Sequence, residues 1–349
     1  MKILITGNMG YVGAELVRYL RSSMPDARIH GFDSGLFAHA LTGTTRLPET
    51  LLDRQYFGDV RDMDPGILQG VDAVVHLAAV SNDPMGHSFE QATHDINQMA
   101  TLRLAEQSAA AGVGSFVFAS SCSIYGYAET GARSETDATN PLTAYARSKI
   151  GAEQGLAALA SDAMSVTCLR FATACGMSDR LRLDLVLNDF VASAVSTGQI
   201  MVLSDGSPWR PLIDVRDMAR AVHWAMKRTP ADPSPFLVVN AGRQENNYQV
   251  RDLAHAVARH LPGTCVTINT DAPPDKRSYK VDFSLFERLA PHFIPQMSLD
   301  QSITGLIAGV KRTPQIDAGF RLSPFLRLRM LEQHLAARAL DADLRWLAP

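Results

Sequence analysis

Cysteine is scarce in this 349-residue sequence, and the four that occur are scattered: Cys122, Cys168, Cys175 and Cys265 form no CxxC pair and no Cys/His cluster with metal-site spacing. That argues against a disulfide framework or a zinc centre, and the expectation is four reduced thiols in a cytoplasmic protein without a bound metal. An excess of one charge is lacking too. The 33 Lys and Arg against 36 Asp and Glu leave a formal net charge of −3, so nucleic acid and anionic membranes have no general electrostatic claim as partners. No apolar run approaches the roughly 20 residues of a membrane span. The short run in Met1–Gly7 ends in a turn, where a signal peptide needs a longer stretch and a cleavage site. Internal repeats and low-complexity segments are absent as well.

What is present is a hydrophobic share of 46%, enough at this length to bury one large core or two closely joined ones. In the first half, short β-rich runs alternate with longer helical patterns. Strands are expected at Lys2–Thr6, Arg28–Asp33, Gln55–Gly58, Ala73–Leu77, Phe116–Ser120 and Val166–Phe171, and helices at Tyr11–Ser22, Phe89–Ala111 and Ala144–Leu159. Such alternation implies an α/β fold, a Rossmann-like doubly wound parallel sheet. After Phe171 the alternation fades into Pro- and Gly-rich stretches, with later helices at Asp217–Lys227 and Gln249–His260 and an apolar stripe at Leu328, Leu331 and Leu335. The expected division is a dinucleotide-binding domain over 1–171, joined by 211–240, with a smaller C-terminal substrate-binding lobe over 172–210 and 241–349.

The first expected strand runs into Gly7-Asn8-Met9-Gly10-Tyr11-Val12-Gly13 and then a helix. Three glycines so spaced permit a tight turn, close approach of backbone to a diphosphate, and close packing of helix on strand, with helix-start N–H groups facing the anion. The second strand ends at Asp33, about twenty residues on, where a carboxylate accepts from ribose hydroxyls and repels a 2′-phosphate, so NAD is favoured over NADP. The third ends in Gly58-Asp59-Val60, where Asp59 can reach an adenine edge. Further along, Tyr145-Ala146-Arg147-Ser148-Lys149 is a YxxxK pattern whose outer positions share one helix face. An ammonium near a phenol favours phenolate, which would suit Tyr145 to exchange a proton with a substrate hydroxyl.

Together these segments resemble the extended short-chain dehydrogenase/reductase family, of the sugar-nucleotide epimerase/dehydratase type. Thr6–Gly13 is similar to its TGxxGxxG loop, His76-Leu77-Ala78-Ala79 to its HLAA strand end, and Ser120-Ser121-Cys122-Ser123-Ile124-Tyr125-Gly126 to its SSxxxYG segment. The resemblance implies a catalytic Ser121/Tyr145/Lys149 set, with Ser120 as the neighbouring alternative to Ser121, and Lys149 also holding the nicotinamide ribose. It implies that Asn97 helps position NAD. Towards the substrate it implies phosphate contacts from Arg210 and Asn188 and a sugar-end role for Tyr279, with Ser123 and Thr173 along the pocket. Thr173 stands where the better-known epimerases carry Asn, and their second phosphate-binding Arg is missing unless Arg277 replaces it.

Family members that dehydrate or decarboxylate the oxidised sugar carry acids just after the catalytic hydroxyl, and here Cys122 and Ser123 stand there. The expected function is therefore an NAD-dependent nucleotide-sugar epimerase, acting at C4 through a transient 4-keto intermediate. Two alternatives stay open: a reductase of a nucleotide-linked 4-keto sugar using NAD(P)H, and a non-catalytic NAD-binding sensor. The expected partner is a nucleotide-sugar substrate, with no nucleic acid and no membrane, and a homodimer is compatible with the resemblance.

Overall fold

Ile3, Leu4 and Ile5 need apolar cover on both sides, and an interior strand of a parallel sheet under two helical layers supplies it. The computed structural model describes residues 1–272 and 278–348. In chain order the strands are β1 (Lys2–Thr6), β2 (Arg28–Asp33), β3 (Arg54–Phe57), β4 (Ala73–His76), β5 (Ser115–Ser121), β6 (Tyr127–Arg133) and β7 (Ser165–Phe171). There follow β8 (Thr173–Cys175), β9 (Gln199–Val202), β10 (Trp209–Asp214), β11 (Phe236–Ala241), β12 (Asn247–Gln249), β13 (Cys265–Ile268) and β14 (Ser278–Val281). Seven of them make one parallel sheet in the order β11-β7-β5-β4-β1-β2-β3.

The helices are α1 (Tyr11–Ser23), α2 (Asp83–Ser88), α3 (Glu90–His94), α4 (Ala100–Ala110), α5 (Ala144–Ala157), α6 (Val186–Thr197), α7 (Val215–Met226), α8 (Val250–His260), α9 (Ser284–Leu289), α10 (Leu299–Lys311) and α11 (Arg327–Ala336). Strand alternation sends Ile3, Ile5, Val75 and Val117 to one face, where Leu16 and Leu20 of α1 and Ala219 and Val222 of α7 cover them. Leu4, Val74, Phe116 and Phe118 go to the other, under Leu104 of α4 and Leu156 of α5. A separate core built on α6, α8 and α10 holds the C-terminal lobe. The stripe on α11 packs within the chain: Leu331 is buried with Val80, Met85 and Ile96, and Leu328 and Leu335 flank it.

Two departures from the sequence expectations bear on the site and the sheet that carries it. The helix expected over Phe89–Ala111 is broken into α3, a π-helical turn at Asp95–Met99, and α4, and such a turn is frequent at functional sites. Residue Asn97 sits within it, fully buried. The seventh strand, β11, was not expected; it pairs with β7 after a long excursion of the chain through the lobe. Among the described residues no helix is long and apolar enough to cross a membrane.

Candidate active site

The carboxyl ends of β1, β2, β4 and β5 open onto one cleft of about 1080 Å³ that reaches into the C-terminal lobe. Its floor is the glycine loop. Gly7 has φ +77°, and a Cβ there would lie 2.6 Å from the Ala78 nitrogen; one on Gly13 would lie 2.4 Å from the Gly7 carbonyl oxygen. The loop is thus folded against the end of β4 and against the start of α1 as tightly as glycine alone allows. Asp33 holds it in place, accepting from the Met9 N–H at 2.9 Å and the Gly35 N–H at 2.8 Å. Burial raises the Asp33 pKa, and these two donors counter it.

Gly7, Gly10, Tyr11, Val12, Gly13, Asp33, Asp59, Val60, Leu77, Ala78 and Ala79 all line the cleft. Asn8, Met9 and Asn97 do not. The Asn8 amide is turned under β2 and donates to Gln55 at 2.7 Å, and the Met9 side chain is buried. Asn97 clamps Val80, accepting from its N–H at 2.8 Å and donating to its carbonyl at 2.9 Å, and also donates to the Ser148 hydroxyl at 3.1 Å. Any effect of Asn97 on a cofactor therefore passes through the Val80 backbone and α5, which carries Ser148.

The structure brings Ser121, Tyr145 and Lys149 together. Ser121 ends β5, and its Oγ accepts from the Ser123 N–H at 3.1 Å. Thr143 caps α5, its hydroxyl accepting from the Ala146 N–H at 3.2 Å, which puts Tyr145 and Lys149 on the first turns facing the cleft. Ser120 is differently engaged: its hydroxyl donates to Glu153 at 2.5 Å, and Glu153 is in turn paired with buried Arg170 at 2.7 Å.

Burial dominates the electrostatics of the Tyr145 and Lys149 pair. Burial pushes the Tyr145 phenol up to about 12; Ser121 and then Arg182 pull it down, and Asp83 pushes it further up. Lys149 Nζ lies 5.7 Å from the Tyr145 ring centroid. Burial lowers Lys149 itself to about 7, opposed by Glu153, while its Nζ donates to the Ala119 carbonyl at 2.7 Å and lies 4.6 Å from the Phe118 ring centroid. Helix spacing puts the two side chains on one face of α5, and burial governs the titration of both.

At the lobe end, Ser123, Thr173, Arg210 and Tyr279 line the cleft. The Ser123 hydroxyl is buried without a hydrogen-bond partner among the described residues and so has capacity for a ligand. Tyr279 is raised by burial. Asn188 does not reach the cleft: its amide donates to the Arg182 carbonyl at 2.8 Å, and its oxygen accepts from the Gly176 N–H at 3.1 Å. Arg277 lies outside the described residues. Sequence reasoning missed Asp83, Arg182 and Asp184, which also line the cleft. Arg182 is braced by Asp184 at 2.9 Å and by the Ser81 hydroxyl at 2.8 Å. The alternation Arg180-Leu181-Arg182-Leu183-Asp184 was the available signal, and it reads as an ordinary exposed strand.

A family model described as the NAD dependent epimerase/dehydratase family matches residues 3–242. The chain belongs to this family. It is an enzyme of that kind, and its cofactor is NAD. It is 27% identical over 279 residues to a UDP-glucose 4-epimerase of Corynebacterium glutamicum, covering 74% of this chain and 81% of that one. To a dTDP-glucose 4,6-dehydratase of Streptomyces griseus it is 25% identical over 314 residues, or 88% and 93% of the two chains. Among solved structures, MoeE5 in complex with UDP-glucuronic acid and NAD is similar, with a TM-score of 0.75 and 26% identity over 89% of this chain and 99% of that one. The glycine cradle, in which a Cβ on Gly7 or Gly13 would strike backbone, and the Asp33 carboxylate at the end of β2 fit the dinucleotide that the family uses.

Proposed function

We propose that this enzyme is a nucleotide-sugar epimerase acting at C4 through a transient 4-keto sugar. The observation that carries the reading is the cleft shared by Ser121, Tyr145, Lys149, Arg210 and Tyr279, with Cys122 and Ser123, neither a carboxylic acid, directly after Ser121. Cys122 is fully buried and its thiol is turned to the Arg170 carbonyl, and Ser123 offers only a hydroxyl. Asp83 and Asp184 do line the cleft, but Asp83 accepts from the Thr143 hydroxyl at 2.7 Å and Asp184 is paired with Arg182.

In this reading NAD supplies the hydride acceptor and then the hydride donor. Tyr145 takes the proton of the substrate hydroxyl and later returns it, and Ser121 orients the reacting oxygen. Lys149 holds the nicotinamide ribose, with Asp33 on the adenosine ribose. Arg210 binds the diphosphate of the sugar nucleotide as a permanently charged, forked donor, and Ser123, Thr173 and Tyr279 line the sugar. Residues 1–171 with 211–240 form the dinucleotide unit, and 172–210 with 241–349 supply the substrate lobe and the C-terminal helices.

Cofactor stoichiometry tests the reaction. Purified enzyme is incubated with UDP-, dTDP-, GDP- and CDP-sugars, following NADH optically and products by NMR. A sugar nucleotide equilibrating with its 4-epimer at constant NADH is the expected result. Stoichiometric NADH oxidation with a 4-keto sugar, with no interconversion of any non-keto sugar, would make the enzyme a reductase.

A further inference from the structure

The adenosine end of the cleft is closed by the end of the chain. Arg327 and Leu331 of α11 and Leu344 beyond it line the cleft together with Asp33, Phe37 and Asp59. The segment is tied down along its length. Trp346 Nε1 donates to the Ser34 carbonyl at 2.6 Å, Arg61 donates to the Asp343 carbonyl at 2.8 Å, and His334 Nε2 lies 3.1 Å from the Leu36 carbonyl. Arg345 reaches Asp62. These anchors sit on the loops that follow β2 and β3, the two strands at the adenosine edge of the sheet.

Within this wall Arg327 stands out by what it lacks. It is 1% exposed, yet its guanidinium donates only to backbone carbonyls, Arg180 at 2.7 Å and Pro324 at 3.4 Å, and lies 4.9 Å from the Phe37 ring centroid. The neighbouring buried arginines are neutralised: Arg180 by Glu49 at 2.9 Å and Arg182 by Asp184 at 2.9 Å. Among the described residues no carboxylate pairs with Arg327. Burial, reinforced by Arg182, pushes it down to about 9. A buried cation without a counter-ion is costly unless a ligand supplies one, and this one lines the cleft that takes a dinucleotide with a doubly charged diphosphate.

We propose that Arg327 binds the bridging diphosphate of NAD, and that the C-terminal segment is the outer wall that holds the dinucleotide in place. The position selects this diphosphate over that of a sugar nucleotide, because Arg327 shares its wall with Phe37 and the loop after Asp33, whereas Arg210 rises from β10 in the lobe. The inference rests on NAD as cofactor and is independent of which sugar reaction the enzyme performs.

The test is calorimetric titration of cofactor-stripped Arg327→Met and Arg327→Lys with NAD, ADP-ribose, adenosine and UDP, together with melting curves without ligand. Loss of a charge-assisted phosphate contact should weaken NAD and ADP-ribose about tenfold or more in the Met variant while leaving adenosine and UDP unchanged. The ligand-free Met variant should melt at or above the wild-type temperature, since an uncompensated charge has gone. Unchanged NAD affinity overturns the proposal. So does a loss that appears on UDP instead, which would move the guanidinium to the sugar nucleotide, or a lower ligand-free melting temperature with unchanged affinities, which would make the role structural. Should the Met variant fail to fold, the Lys variant, with its charge kept and its fork lost, decides by the same comparison: NAD and ADP-ribose must weaken.

Discussion

Burial and proton transfer pull in opposite directions at Tyr145. A phenol pushed up to about 12 gives up its proton reluctantly at neutral pH, and a bound nicotinamide cation would add positive charge to the same cleft. Tyr145→Phe keeps the ring and removes the proton carrier, so turnover is expected to fall at least about 10²-fold while NAD affinity by calorimetry stays at the wild-type value. Turnover near wild type would take the proton-transfer role away from Tyr145. The two adjacent serines separate function from support. The Ser121 hydroxyl accepts from one backbone N–H, interacts with the Tyr145 phenol and lines the cleft, so Ser121→Ala should lose turnover with its melting temperature close to wild type. Ser120 donates into the buried Glu153–Arg170 pair. Ser120→Ala should therefore lose about 1–3 kcal/mol of stability and less turnover, and the opposite pattern would transfer the catalytic hydroxyl to Ser120.

At the scale of elements, the turn from β1 into α1 is built by glycines with different duties. A Cβ on Gly13 meets the Gly7 carbonyl oxygen at 2.4 Å and the Asn8 Cα at 2.5 Å, backbone atoms that cannot give way without moving α1. On Gly10 the nearest atom is at 3.1 Å, and that residue lines the cleft. Gly13→Ala is accordingly expected to cost about 2–3 kcal/mol by overpacking, measured by denaturant unfolding without NAD. Gly10→Ala should unfold close to wild type yet bind NAD more weakly. Equal stability losses in the two variants would deny this division between packing and ligand approach.

For the molecule as a whole, acid stability turns on a histidine inside the sheet. His76 ends β4 between two hydroxyls, Nδ1 at 2.6 Å from Thr6 Oγ1 and Nε2 at 2.8 Å from Thr101 Oγ1, and burial, with a smaller push from Lys149, lowers it to about 3. The folded state keeps it neutral while the unfolded chain takes up a proton below about 6.5. Its contribution is complete above that value and is lost as pH falls towards 3, at about 1.4 kcal/mol per pH unit. Glu15, which burial raises to about 7, works in the opposite sense over part of the range, so the measurement is a difference. Between pH 6 and pH 4, His76→Gln should lose less unfolding free energy than wild type, by roughly 2–3 kcal/mol. Parallel pH profiles for the two proteins would rule His76 out as the acid-sensitive group.

The sequence by itself determined the α/β class, six of the seven sheet strands to within a residue at either end, the glycine turn, and the Tyr145–Lys149 helix face. These are local facts, written in hydrophobic period, turn chemistry and residue spacing. Tertiary structure decided whatever depends on residues far apart in the chain. The pairing of β11 with β7 required the lobe to be traversed first, and the π-helical turn coincides with the clamp between Asn97 and Val80, 17 positions apart. Asn8 and Asn188 read from the chain as ligand-facing, yet Gln55 and the Arg182 carbonyl absorb their amides. Arg327 lies 294 positions from Asp33 in sequence but lines the same cleft. Periodicity tells which face of an element a side chain occupies; which partner meets it there, and whether a charge is left without one, is fixed only when the elements pack.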